Sequence, residues 1–72
     1  MEESKKLALL EEAFEMEEGE LKADMELDGI DDYNSMAKLA LIVMMNDECG
    51  KQLTNEQIKG FNKVQDILDY MG

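Results

Sequence analysis

Tyr33-Asn34-Ser35-Met36-Ala37-Lys38-Leu39-Ala40-Leu41-Ile42-Val43-Met44-Met45 decides how this chain is read, because an acidic loop turns there into an apolar helix. Asn34 suits an N-cap, since its side-chain oxygen can accept from an unpaired amide of the first turn. Ser35 then falls on that turn with its hydroxyl at the surface, beside free N–H groups. A serine in such a place is ordinarily a cap or the neighbour of one. Leu39 to Met45 are seven apolar residues in a row, and a helix apolar nearly all round must be buried on most sides. The pattern sets this helix from Ser35 to about Cys49, with Gly50 as its stop. A chain of 72 residues buries only about 60% of its unfolded surface. Part of the helix is therefore expected to expose an apolar strip, and such strips rimmed by acids mark docking surfaces.

Upstream, Glu3 to Glu18 reads as a first helix. Leu7, Leu10 and Phe14 form one stripe, and Leu9, Ala13 and Met16 a second. Ser4 is the expected cap and Gly19 the expected left-handed stop, while Glu11, Glu12, Glu15 and Glu17 are most simply a solvated face. Residues 19–34 are the longest stretch without periodicity. Loops of that length inside a small domain are uncommon and are often functional. Leu21, Met25, Leu27 and Ile30 can pin it at intervals, so an ordered crossing loop is expected. Downstream, Thr54-Asn55-Glu56-Gln57 is a capping box opening a short helix that carries Ile58 and ends near Gly60. Asn62-Lys63-Val64-Gln65 repeats that logic more loosely before the stripe Val64, Ile67, Leu68 and Met71. No period-two segment is long enough for a strand. The expected fold is all-α: one domain over residues 1–72, a small four-helix bundle whose third helix is short, with a long ordered loop between the first two.

Eighteen acids against seven lysines give a formal net charge of −11. Such a field repels nucleic acid and anionic membrane and steers basic partners inward, so neither nucleic acid nor membrane is an expected partner. The single Cys49 excludes an internal disulfide and fits a reducing compartment. With no leader pattern and no apolar run long enough to span a bilayer, the reading is a soluble, cytoplasmic monomer.

Little catalytic chemistry can be written. There is no histidine, so the usual general base is missing and no serine or cysteine triad can be assembled. Cys49 lies near a helix C-terminus beside Asp47 and Glu48, which disfavours a thiolate and leaves it a small core residue. Asp24, Glu26, Asp28, Gly29 and Asp32 resemble the start of a calcium-binding loop. The match fails at the twelfth position, where a bidentate glutamate is required and Ser35 stands, and at the normally apolar eighth, which is Asp31. Met36, Met44 and Met45 suit an adaptable binding surface and core filling alike.

A long loop ending in Asn34-Ser35-Met36 and continuing Ala37-Lys38-Leu39-Ala40-Leu41-Ile42 resembles the Asp-Ser-Leu or Asp-Ser-Met site of acyl carrier proteins. The tail Lys63-Val64-Gln65-Asp66-Ile67-Leu68-Asp69-Tyr70-Met71 looks like that family's last helix, and Met25 and Leu27 fit its apolar loop anchors. Length, acidity and helix order extend the resemblance over nearly the whole chain. It implies that Ser35 carries a 4′-phosphopantetheine arm, attached from coenzyme A by a phosphopantetheinyl transferase. The arm's thiol would hold an acyl or aminoacyl group as a thioester, so the protein would be a carrier and not an enzyme. Its implied partners are that transferase, an acyl- or aminoacyl-loading ligase, and acyl-transfer or condensing enzymes. The second helix would be the docking helix, with Met36, Leu39 and Val43 as its apolar strip and Asp47 and Glu48 offering charge to basic patches.

The chain departs from the family at Asn34, where aspartate is usual and faces the transferase and its magnesium. Asparagine keeps the cap and loses the charge, which leaves slower, transferase-restricted or absent modification open. Lys38, Ala40 and Asn46 make the docking helix less acidic than in typical fatty-acid carriers, and Tyr33 resembles carriers outside primary fatty-acid synthesis. A specialised, free-standing carrier is the leading expectation. The alternatives are a non-catalytic acidic helical adaptor that kept the carrier fold without the arm, and a divalent-metal-binding module.

Overall fold

Four helices follow in order in the computed structural model, which describes residues 2–72: α1 (Glu3–Ala13), α2 (Ser35–Cys49), α3 (Asn55–Gly60) and α4 (Val64–Met71). Among the described residues there is no β-strand; Glu26 and Lys63 make a single antiparallel bridge. No helix among the described residues is long and apolar enough to cross a membrane. The molecule measures 25 × 24 × 18 Å.

Helix α2 has the bounds its caps predict. The Asn34 side chain accepts from the Ala37 N–H at 3.0 Å, and Gly50 closes the other end at φ 64°, a left-handed turn that costs glycine nothing sterically. Helix α3 opens on the Thr54 capping box: Gln57 N–H donates to Thr54 Oγ1 at 3.2 Å, and Thr54 N–H to Gln57 Oε1 at 2.9 Å. Helix α4 is capped differently from expectation. Asn62 supplies only its backbone; the Asp66 carboxylate reaches back to the N–H groups of Asn62 and Lys63 at 2.9 and 3.0 Å. Those two bonds hold the exposed Asp66 carboxyl below the usual carboxylate range.

The first helix departs most from expectation. It stops at Ala13, not Glu18, and Ser4 lies inside it without capping it; the N-cap position is Glu2. Glu15 takes the left-handed conformation at φ 57°. Its N–H donates to the Glu12 carbonyl at 3.2 Å and the Met16 N–H to the Glu11 carbonyl at 2.8 Å, the paired bonds of a Schellman ending. Glycine usually fills that place, and a residue with a Cβ costs about 1 kcal/mol there. Gly19 does turn left-handed (φ 88°), but in a later turn in which the Glu20 N–H donates to the Glu17 carbonyl.

A tertiary contact accounts for the early stop. Glu11, expected on a solvated face, is 6% exposed. Its Oε2 accepts from the N–H groups of Gly19 and Leu21 at 2.8 and 3.0 Å, eight and ten residues on. The chain must fold back over the end of α1 to bring those amides there, and a helix running to Glu18 would carry them away.

Beyond Leu21 the segment stays on the core through buried Leu21, Leu27 and Ile30, with Met25 half-buried. One 3-10 turn interrupts it at Leu27–Gly29. It also pairs with the start of α4: Leu27 N–H donates to the Asn62 carbonyl, and the N–H groups of Val64 and Gln65 to the carbonyls of Met25 and Ala23, at 2.9 to 3.0 Å. Lys6 and Lys51 donate to the last-turn carbonyls of α4, Leu68 and Tyr70, at 3.3 and 2.6 Å. The core they enclose includes Leu10 and Phe14 of α1, Leu41 and Met45 of α2, and Val64, Ile67 and Leu68 of α4.

Substituting Glu11→Ala leaves two loop amides, one of them buried, without their acceptor, and should cost about 2–3 kcal/mol. Urea unfolding should show this as a lower midpoint at unchanged slope; an unchanged midpoint would mean that the carboxylate does not hold the loop.

Candidate functional site

The junction of loop and α2 is built from the inside outward. Ile30 and Ala37 are buried on either side of it. Between them Tyr33 is half-buried and packs edge-on against Phe14, with ring centroids 5.3 Å apart at 69°. Lys38 sits over the other side of the junction, its Nζ 5.2 Å from the centre of the Tyr33 ring. Anchored in this way, the chain enters α2 through extended Asn34 (φ −113°, ψ −172°), and Ser35 begins the helix exposed to solvent. Its hydroxyl shares the first turn with amides that have no partner inside the helix. An anion bonded to that hydroxyl would meet those amides and the positive end of the helix dipole.

Burial at the Tyr33 ring has a consequence. Its hydroxyl is buried with no hydrogen-bond partner. Desolvation first, and the Asp28 carboxylate second, raise the phenol above its ordinary value.

The other candidate residues lie along the outer side of α2. Met36, Leu39 and Val43 are the large exposed hydrophobic residues among those described, at 75%, 60% and 53% exposure. All three line an open groove of about 700 Å³, with Asp47 and Glu48 at its far end. The groove's second bank comes from α1 and the turn after it: Leu9, Glu12, Ala13 and Glu15. The sequence reading missed this bank. The Leu9–Ala13 stripe was visible as periodicity, but nothing local says which helix that stripe faces. A second hollow of about 630 Å³, lined by Ile42, Val43, Asn46, Gly50, Gln52 and Leu53, lies beside Val43.

Among the described residues no group of three or more cysteine, aspartate or glutamate side chains is gathered to hold a metal. Cys49 is a free, half-buried thiol. The chain finds no match among family models, curated proteins or solved structures.

Replacing Tyr33 by phenylalanine removes a buried hydroxyl that has no partner, and should leave stability equal or raise it by about 1 kcal/mol. In the wild type the neutral phenol is the form the fold favours. Its contribution is full below the ordinary value of about 10 and is lost as pH rises through the raised one. Thermal melts at alkaline pH should show a steeper loss for the wild type than for Tyr33→Phe; parallel curves would contradict the burial argument.

Proposed function

We propose that this chain is a free-standing acyl or aminoacyl carrier protein, a four-helix bundle whose ordered loop delivers Ser35 to the start of α2 for modification by 4′-phosphopantetheine. The observation that carries the reading is the setting of Ser35. It is an exposed serine on the first turn of a 15-residue helix capped by Asn34, next to the apolar strip Met36, Leu39 and Val43. The order of four helices, with α3 the shortest, supports the reading.

The residues present fit the group. The hydroxyl is free for esterification, and a phosphodiester formed on it lies at amides that no helical carbonyl claims. Lys38 adds a positive charge within the same turn and a half. When bound, the arm supplies a terminal thiol that holds the cargo as a thioester. The protein's own work is positional: Asn34 fixes the backbone of the first turn, and Tyr33 against Phe14 holds the loop end in place. Tethering raises the effective concentration of the cargo at each docked enzyme, and the acidic surface of a chain with net charge −11 speeds encounter with basic partners. The partners this implies are a phosphopantetheinyl transferase, a loading ligase, and acyl-transfer or condensing enzymes.

One observation favours a second reading. Asn34 keeps the cap bond to Ala37 while offering no carboxylate at the surface, which suits an adaptor that retained the fold and lost the arm.

Intact-mass measurement after incubation with coenzyme A and a broad-specificity phosphopantetheinyl transferase separates the two. The carrier reading predicts one added phosphopantetheine, absent in Ser35→Ala, whose helical circular dichroism should match the wild type. Asn34→Asp should speed the modification without changing the fold. No mass change with several transferases, for wild type and Asn34→Asp alike, would leave the adaptor.

A further inference from the structure

We propose that the groove between α1 and α2 is a docking site for a basic amphipathic helix of a partner protein, with α1 supplying one of its two banks. The floor and the rim differ in chemistry. Leu9 and Ala13 from α1 face Leu39, Ala40, Val43 and Met44 from α2, while Glu12, Glu15, Asp47 and Glu48 stand around them, and no lysine lines the groove. An occupant must therefore cover apolar surface and present cations on both sides of it. From Met36 to Glu48 the helix rises about 18 Å, the length of three turns of a partner helix.

Charge narrows the choice of occupant. A second copy of this chain carries the same −11 and would meet the acids of one rim with its own. Nucleic acid and anionic membrane are repelled by the same field. A helix with an apolar stripe flanked by lysine or arginine satisfies floor and rim together.

Glu15 supplies an independent observation. It holds the left-handed position that closes α1, at φ 57°, where glycine or asparagine would sit with less strain. Its side chain lines the groove beside that of Glu12. Strain retained without structural need is a mark of a functional position.

This inference deepens the docking role given to α2 under the carrier reading and rests on that reading for the kind of partner. Its test does not depend on modification. The probe is a synthetic 14-residue leucine–lysine amphipathic helix, titrated into the full-length protein at low salt and followed by amide chemical shifts. Shifts should concentrate on Leu9, Ala13, Leu39, Val43 and their neighbours, and a leucine–glutamate peptide should not bind. Joint replacement Glu12→Gln and Glu15→Gln should weaken binding about five- to tenfold. The pair Asp24→Asn and Asp28→Asn, which removes the same charge from the loop, should leave it within about twofold. Glu15→Gly should raise the melting temperature and still weaken the peptide.

Equal weakening by the loop pair, or shifts spread over the acidic surface, would overturn the proposal. So would a dimer in sedimentation that the peptide fails to displace. Ser35→Ala should bind the peptide as the wild type does. A protein that is modified but does not bind the peptide sinks the groove alone; one that binds but is never modified sinks the carrier reading alone.

Discussion

The rest of the structure answers to one constraint: α2 carries more apolar surface than a 72-residue chain can cover. Seven consecutive apolar side chains point in every direction around the helix, and the core takes Leu41 and Met45 completely. Ile42 and Met44 are half-covered, while Leu39 and Val43 stay in solvent together with Met36 at the start of the helix. At about 25 cal/mol per Å², leaving such side chains exposed forgoes stabilisation that polar residues there would not have offered the fold either. The exposed side is a strip of three large apolar residues that begins at Met36, the residue next to Ser35.

Holding α2 in that half-buried position falls to parts of the chain that are neither long nor apolar. The Glu11 carboxylate turns the chain back after α1 by accepting from Gly19 and Leu21. Backbone bonds from Ala23, Met25 and Leu27 then tie the returning segment to the start of α4. Lys6 and Lys51 close the other end of α4 on its last carbonyls. The route of residues 14–34 thus depends on polar contacts, while the helices depend on Leu10, Leu41, Val64 and Ile67.

This division explains what could be read from the residues. Asn34, Gly50 and Thr54 act within a turn of themselves, so the bounds of α2 and the start of α3 were legible, as was the buried stripe of α4. The end of α1 was not. Met16, Glu17 and Glu18 favour helix, and it is the left-handed Glu15 together with the Glu11 bonds to amides eight and ten residues away that goes with the stop at Ala13. For the same reason Glu11 read as solvated, and Asn62 read as a cap where Asp66 does the capping from inside the helix. Around the candidate site, an exposed strip on α2 followed from the excess of apolar residues, and the resemblance to carrier proteins picked out Met36, Leu39 and Val43, which are exposed. The facing bank of Leu9, Glu12, Ala13 and Glu15 did not, because it exists only once α1 lies against α2.

Ser35 is where these features meet: a helix start capped by Asn34, first-turn amides without helical partners and an apolar strip leading away. The most direct test of its proposed role uses the protein purified from its own cells, digested beside Asp and Glu residues and mapped by mass. The carrier account predicts a phosphopantetheine, free or acylated, on the peptide containing Ser35 and on no other. An unmodified Ser35 peptide in protein recovered from active cells would contradict it.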